Sequence, residues 1–463
     1  MHLHHIHSPV VRGRRPSGLG LLALLVTQLA LFGVYVQPAQ ALPSYARQTG
    51  EECAACHVGG FGPQLTPFGM VFKMGGYTES NSTSLRMPLS GMAVASFTNT
   101  AKDLSEDPGK YVGVNNNLSM QEISAFLAGR LTNHVGTFVQ TTYSGVENIF
   151  SLDNMDLRFA GNVDLGGKDT ILGLSVNNNP TISDPFNTLS AWSFPYIASE
   201  VAPTPAAAPL IQGGLEYQVL GGSAYGFFND SIYAEAGAYG SLSRSTLHSL
   251  GIGADAGDLS GAAPYWRLAW FKDKRKSAYS LGLFGLAAKL HPDFHSGPTN
   301  DYLDMGVDAS YQFLGSRAHI FTVNGSYTHE HQKLNASLAA GDANRSSATL
   351  QNINLNASYT YKETYGLRLG LFDTWGDRDT ALYAPAPDGG SRTGKPDSNG
   401  LILEADWTPF GKEDSWAAPW ANLRVGLQYT LYNQFNGASS NYDGFGRDAS
   451  DNNTLFLYLW SAI

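Results

Sequence analysis

The sequence predicts an all-β transmembrane barrel of about sixteen antiparallel strands, residues 87–463, preceded by a small segment, residues 42–86, and a leader, residues 1–41. Three observations predict it. Apolar and polar residues alternate over runs of about ten, which gives strands with one lipid-facing and one wet face. Long polar connections alternate with short ones along the second half of the chain. Charged residues make up only 15% of a chain that holds 51 Gly, 23 Tyr, 23 Phe and 8 Trp, where about 25% charged is usual for soluble proteins. Mean hydropathy is nevertheless slightly polar, and beyond the leader no apolar run approaches the ~20 residues of a membrane helix.

The leader comes first. Arg12, Arg14 and Arg15 form a basic patch, residues 19–36 are mostly apolar, and Ala39-Gln40-Ala41 offers a small-x-small cleavage site. The apolar stretch is long enough to stay as an anchor, but Gln28, Gly33 and the cleavage site favour removal as a signal peptide. The mature chain then begins at Leu42.

Cys53 and Cys56, the only two cysteines, stand as Cys53-Ala-Ala-Cys56-His57. That is the attachment pattern of a c-type haem, with thioether bonds from both sulfurs and His57 as the proximal iron ligand. A disulfide or a thioredoxin-like pair leaves the adjacent His unexplained. The expected cofactor is one covalently bound haem c. For the second axial position the sequence offers Met70 or Met74, four apart and on one face of a helix, a His or Met from the barrel wall, or an open site. Both Met residues also have a packing role open to them. Residues 42–86 are too few to bury a core of their own. They are expected to lean on the barrel as a plug at its periplasmic mouth, since a barrel of this size has a lumen wide enough to take one.

The strands follow. Leu303, Met305, Val307, Ala309, Tyr311 and Phe313 share one face, with Asp304, Asp308, Ser310 and Gln312 on the other. Ile353, Leu355 and Ala357 alternate with Asn352, Asn354 and Asn356, and Leu423, Val425, Leu427 and Tyr429 with Arg424, Gly426 and Gln428. A soluble β-sandwich also alternates, but its connections do not sort into long and short. Here long loops near 241–262, 291–301, 330–348, 374–399 and 433–453 alternate with short turns near 273–276, 314–317, 362–365 and 410–420. Upstream, strands are expected near 87–98, 119–131, 135–146, 153–163, 169–178, 212–219, 224–240 and 263–272. An even count puts both barrel ends in the periplasm, so the chain is expected in the bacterial outer membrane with outer-membrane lipid around it.

Without residues 1–41, 26 basic residues face 39 acidic ones, a net of −13. That balance disfavours nucleic acid and suits a cationic substrate or simply soluble external loops. Inward acids at Asp304, Asp308, Glu404 and Asp406 are expected either to guide a cation or to keep the lumen wet. Asp103, Glu106 and Asp107 fall outside the first hairpin. His329 and His331 flank Glu330, and His291, Asp293 and His295 cluster nearby, as metal-landing sites or as plain solvated loop ends. No nucleotide loop, nucleophile motif or zinc constellation is present.

Residues 42–50, Leu-Pro-Ser-Tyr-Ala-Arg-Gln-Thr-Gly, with Pro63-Gln64-Leu65-Thr66-Pro67-Phe68-Gly69, Phe72-Lys73 and Gly75-Gly76-Tyr77-Thr78, closely resemble the fused cytochrome-porins, monohaem outer-membrane iron oxidases of iron-oxidising bacteria. The resemblance is specific over residues 42–78 and architectural beyond. It implies an Fe(II) oxidase that passes electrons from extracellular Fe(II) through the haem to a periplasmic carrier such as a soluble c-type cytochrome. Where that family has Arg after Phe-Gly, this chain has Met70, so the Arg has no counterpart here. The same parts also suit a conduit for another donor or acceptor, or a solute porin with a structural or sensory haem.

Overall fold

A computed structural model describes residues 42–253, 257–292, 297–412 and 415–463. The leader expected at residues 1–41 lies outside them. Among the described residues, sixteen long strands close into one antiparallel barrel. In chain order they are β1 (Leu89–Thr100), β2 (Asn117–Arg130), β3 (Val135–Ser144), β4 (Ile149–Asp164), β5 (Asp169–Asn177), β6 (Val219–Phe228), β7 (Ile232–Ser241) and β8 (Ala263–Asp273). Then follow β9 (Ser277–His291), β10 (Asn300–Phe313), β11 (His319–Leu334), β12 (Ser347–Tyr361), β13 (Tyr365–Gly376), β14 (Ser398–Trp407), β15 (Asn422–Gln434) and β16 (Thr454–Ala462). Each pairs with its sequence neighbours, a two-residue strand Asp258–Leu259 adds to the end of β9, and β1 closes on β16 in register from Met92↔Ala462 to Thr100↔Thr454.

The barrel is inverted relative to a soluble core. Leu281, Leu303, Met305, Leu367 and Leu403 are about half exposed on its outside, while Asp304, Asp308, Arg267, Arg424 and Gln428 are buried inside. Ordinary solvent exposure of that outer band would be costly at about 25 cal/mol per Å², so the surface is one made for lipid, as in transmembrane barrels. No described helix is long and apolar enough to cross a membrane.

Connections sort by end. At one end the turns are short, as at 131–134, 165–168, 229–231, 274–276, 314–318 and 362–364, with 408–421 the longest. Asn229 and Asp230 both take φ of +50°, as do Lys362 and Glu363 near it (+50° and +54°); this is the turn that matches strand twist. At the other end most loops are longer, as at 101–116, 335–346, 377–397 and 435–453.

Two departures from the expected strands matter. The sixth and seventh strands are not at 212–219 and 224–240 but at β6 and β7, because the Asn229-Asp230 turn divides what reads as one long strand and Leu210–Gly214 coils instead of extending, with Gly213 at φ +101°. The second is the whole connection 178–218, which enters the lumen. Its Asp184 meets Arg267 of β8 at 3.1 Å, Thr188 donates to Asp308 of β10, the Leu210 and Ile211 amides donate to Glu330 of β11 and Asp304 of β10, and Gln428 of β15 donates to the Ile197 carbonyl. Those partners lie on well-separated parts of the wall, so the connection crosses the interior.

Residues 42–78 also lie within the barrel, at the short-turn end, and the exposed residues 83–87 lead to β1. The enclosed residues form α1 (Pro43–Thr49), α2 (Cys53–Cys56), a single 3-10 turn Val58–Gly60 and α3 (Pro67–Met74). Thr66 caps α3 by accepting from the Gly69 amide at 3.3 Å, and Pro67 supplies a first-turn residue whose missing N–H costs nothing there. The segment is tied to β3 by Tyr45 Oη donating to the Thr137 carbonyl, to β10 by Gln312 donating to the Leu65 carbonyl, to β11 by Gln64 donating to Thr322, and to β6 by Tyr225 donating to the Met74 carbonyl.

Candidate functional site

The motif Cys53 to His57 is one helical turn and its exit. The His57 amide donates to the Cys53 carbonyl at 2.8 Å, and the Thr66 amide to the Cys56 carbonyl at 2.9 Å, so the chain doubles back over the motif. The close return is possible because position 69 is glycine: a Cβ there would stand 2.4 Å from the Cys56 carbonyl oxygen. Gly60, at φ +65°, passes equally close to Gly411 in the turn between β14 and β15. The wall then grips the backbone. Arg317 donates to the Ala54 carbonyl at 2.6 Å, Asn422 to the Gly60 carbonyl at 2.8 Å and to Cys53 Sγ at 3.1 Å, and Arg424 to the Phe61 carbonyl at 2.9 Å.

Cys53, Cys56 and His57 line one cavity of about 390 Å³ between this segment, the wall and the inward connection. That is within the roughly 300–1,000 Å³ of small-molecule and cofactor sites. Tyr45, Phe61, Leu65, Phe72, Phe126 and Trp460 give it a largely apolar lining, with Phe61 edge-on to Trp460 at 4.7 Å between ring centroids. No disulfide joins the two cysteines. Burial, opposed by the Gly62 backbone and reinforced by the charge of Arg424, lowers the His57 pKa to about 4, and its Nδ1 is buried with no hydrogen-bond partner. Burial and the neighbouring Cys53 push the Cys56 thiol up to about 12. A neutral imidazole and two thiols on the wall of an apolar cavity fit a covalently held haem: the sulfurs would anchor its edge and His57 would face its iron.

Met70 and Met74 share a face of α3, as their spacing predicts, but that face is turned to the wall. Both are fully buried among Leu65, Phe186, Tyr225, Phe227 and Phe271, and neither lines the cavity. The methionine that does line it is Met92, on the inward side of β1. Lys73 on α3 also lines it, with its Nζ donating to the Asp184 carbonyl at 2.7 Å and to Asn187 Oδ1 at 2.8 Å. Away from the motif the cavity is lined by Glu122, Asp153 and Glu200.

The inward acids do not serve an open lumen. Asp304, Asp308, Glu404 and Asp406 face inward as expected, but all are at most 7% exposed. Asp308 is paired with Arg267 at 2.8 Å, Glu404 with Arg368 at 2.9 Å, Asp406 with both Arg368 and Arg424, and Asp304 accepts the Ile211 amide. The expectation that they guide a cation fails because the inward connection and three wall arginines already occupy them. Asp103, Glu106 and Asp107 fall in the loop 101–116, at the end of the barrel with the longer loops. His329 and His331 point away from Glu330, which is buried inside. His291 is bonded near the Pro298 carbonyl, while Asp293 and His295 lie outside the described residues. Among the described residues no three His, Cys, Asp or Glu side chains are grouped to hold a metal ion.

Sequence reasoning missed Arg317, in the turn 314–318, and Asn422 and Arg424, at the start of β15, whose only sequence signal is polarity in or beside a short turn. It also missed the acids at 122, 153 and 200. No protein family matches the chain by sequence, and neither does any curated protein. Among solved structures, several outer-membrane proteins are similar. An anion-selective porin from Comamonas acidovorans is 12% identical over 81% of this chain and 98% of its own, with a TM-score of 0.46. The outer-membrane channel DcaP of Acinetobacter baumannii (10% identity, 81% and 96%, TM-score 0.42) and OmpT of Vibrio cholerae (8%, 83% and 99%, 0.40) are similar to a lesser degree.

Proposed function

We propose that this chain is an outer-membrane electron-transfer protein that takes electrons singly from extracellular Fe(II) and delivers them to a periplasmic carrier such as a soluble c-type cytochrome. Cys53 and Cys56 would hold one haem c covalently and His57 would ligate its iron, and this group is the proposed carrier within the chain. The observation that carries this reading is the meeting of both thiols and a neutral imidazole on one apolar cavity inside a membrane barrel. When bound there, haem supplies a one-electron couple.

The chain's own residues do the rest. Arg317, Asn422 and Arg424 hold the motif's backbone against the wall. Phe61, Phe72 and Trp460 give the cavity apolar surface. Glu122, Asp153 and Glu200 place three carboxyl groups at the cavity's far end, which in their ionised form would attract a small cation. The choice of Fe(II) rests on the resemblance over residues 42–78. Solute passage is disfavoured, since both residues 42–78 and the connection 178–218 reach across the lumen.

Stopped-flow mixing of the oxidised protein with Fe²⁺ tests the reading through the appearance of reduced haem bands. Glu122→Gln, Asp153→Asn and Glu200→Gln together are expected to slow that reduction several-fold at low salt, and less above ~0.1 M, where the Debye length falls to about 10 Å. If dithionite reduces the haem and Fe²⁺ does not, another donor is served. A purified protein without covalent haem overturns the electron-transfer reading altogether.

A further inference from the structure

Met92 is the residue on which the inference turns. It stands on β1 opposite Ala462 of β16 and Ser124 of β2. The neighbouring inward positions of β1, Val94, Ser96 and Thr98, are buried, so alternation directs Met92 to the lumen as well. It packs beside Phe72, Tyr77, Phe126 and Phe138 on one side and Val94, Phe456 and Tyr458 on the other. It is therefore held by the wall and opens onto the cavity that His57 faces from the segment.

An axial ligand to haem iron in a protein is an imidazole, a thioether, a thiolate or a phenolate, with an amine a further option. Among the described residues lining the cavity, His57 is the one imidazole and Met92 the one thioether. Of the other candidate donors, Tyr217 is hydrogen-bonded to Asp153 and the Tyr196 ring lies under the Arg368 guanidinium. Tyr45 donates to the Thr137 carbonyl, Tyr77 to Asp156, and Lys73 to Asp184 and Asn187. A thioether forms no competing hydrogen bond of consequence, and its unbranched side chain adjusts to a ligand at small cost. Met70 and Met74 would have to leave a fully buried site to reach the same cavity.

We propose that Met92 is the distal axial ligand, so that the barrel wall itself completes the haem coordination begun by His57. The proposal rests on the haem reading above. It makes the redox couple a joint property of plug and barrel: thioether ligation raises the potential relative to a second imidazole, which suits oxidation of ferrous iron. It also places the distal contact on the strand that closes the barrel, where a shift of the segment against the wall would break it.

The test begins with the full-length holoprotein in detergent, whose covalent haem is established by staining after denaturing electrophoresis. Absence of covalent haem there refutes the haem reading and not the ligand choice. In the wild-type ferric protein the weak thioether-to-iron charge-transfer band in the far red is expected. Met92→Ala should lose that band, bind CO when reduced, and keep its covalent haem and heat-modifiable migration. Met92→His should retain six-coordination with a lower midpoint potential, which guards against a merely misfolded alanine variant. Retention of the band in Met92→Ala, or its loss in Met70→Leu or Met74→Leu instead, overturns the proposal.

Discussion

Lys73 carries an ammonium group into the wall of an apolar cavity, and its surroundings decide what that costs. Burial first, then the charge of Arg158, lowers its pKa to about 7, against the pull of Asp156, Asp184 and Glu235. The side chain also lies 4.6 Å over the ring of Trp192. Lys73 is thus cationic below about pH 7 and neutral above it, whereas an unperturbed lysine stays charged to ~10.4. A positive charge beside the cavity favours the electron-rich form of whatever redox group the cavity holds. The midpoint potential of the holoprotein is therefore expected to be higher below pH 7 and to fall as pH rises through it. In Lys73→Met the step should flatten, and redox titration across that range reads the difference. At this scale the sequence was informative where chemistry demands a fixed spacing, as at Cys53, Cys56 and His57. It was silent on Arg317 and Asn422, because a polar residue in a short turn or at the start of a strand looks the same whether it faces water or a backbone carbonyl.

Elements show the same division. Strand existence was legible because period-two alternation follows directly from a lipid face and a polar face, and the boundaries of β10, β12 and β15 fall close to where the pattern puts them. The connection 178–218 was not legible as an inward element. Pro180, Pro185, Pro195, Pro203, Pro205 and Pro209 withhold ladder donors, so it reads as an ordinary external loop. The clue lay on the wall: Arg267, Arg368 and Arg424 occupy inward strand positions, and buried guanidinium groups need carboxylate partners. Arg267 finds one of its own on the connection, in Asp184. This gives the connection a measurable role. Replacing residues 190–208 with a short Gly-Ser linker leaves the contacts of Asp184, Thr188 and Ile211 in place and removes Tyr196, Ile197 and Glu200 from the cavity lining. In planar bilayers the wild-type protein should conduct ions poorly, and the shortened variant several-fold better. A wild-type conductance already equal to that of the variant would sink the idea that the connection obstructs the lumen.

The whole molecule has a polarity that the strand pattern fixes only up to a choice of side. Residues 42–88 enter β1, and β16 ends, at the short-turn end of the barrel. The segment with the cysteine motif is bound to that same end through Arg317, Gln312 and Asn422. Transmembrane barrels of bacteria keep short turns in the periplasm and long loops outside, so the motif is expected to face the periplasmic carrier while the longer loops face the donor. Two glycines allow this to be read without disturbing the fold. A side chain at Gly389, in the loop 377–397, or at Gly166, in the turn 165–168, would meet nothing within 4 Å, whereas one at Gly437 would collide with Thr393. An epitope inserted at Gly389 should bind antibody on intact cells, and one at Gly166 only after the outer membrane is permeabilised. The opposite labelling would turn the barrel over, place the cysteine motif at the cell surface, and require the donor to meet Cys53, Cys56 and His57 directly instead of through the acidic end of the cavity.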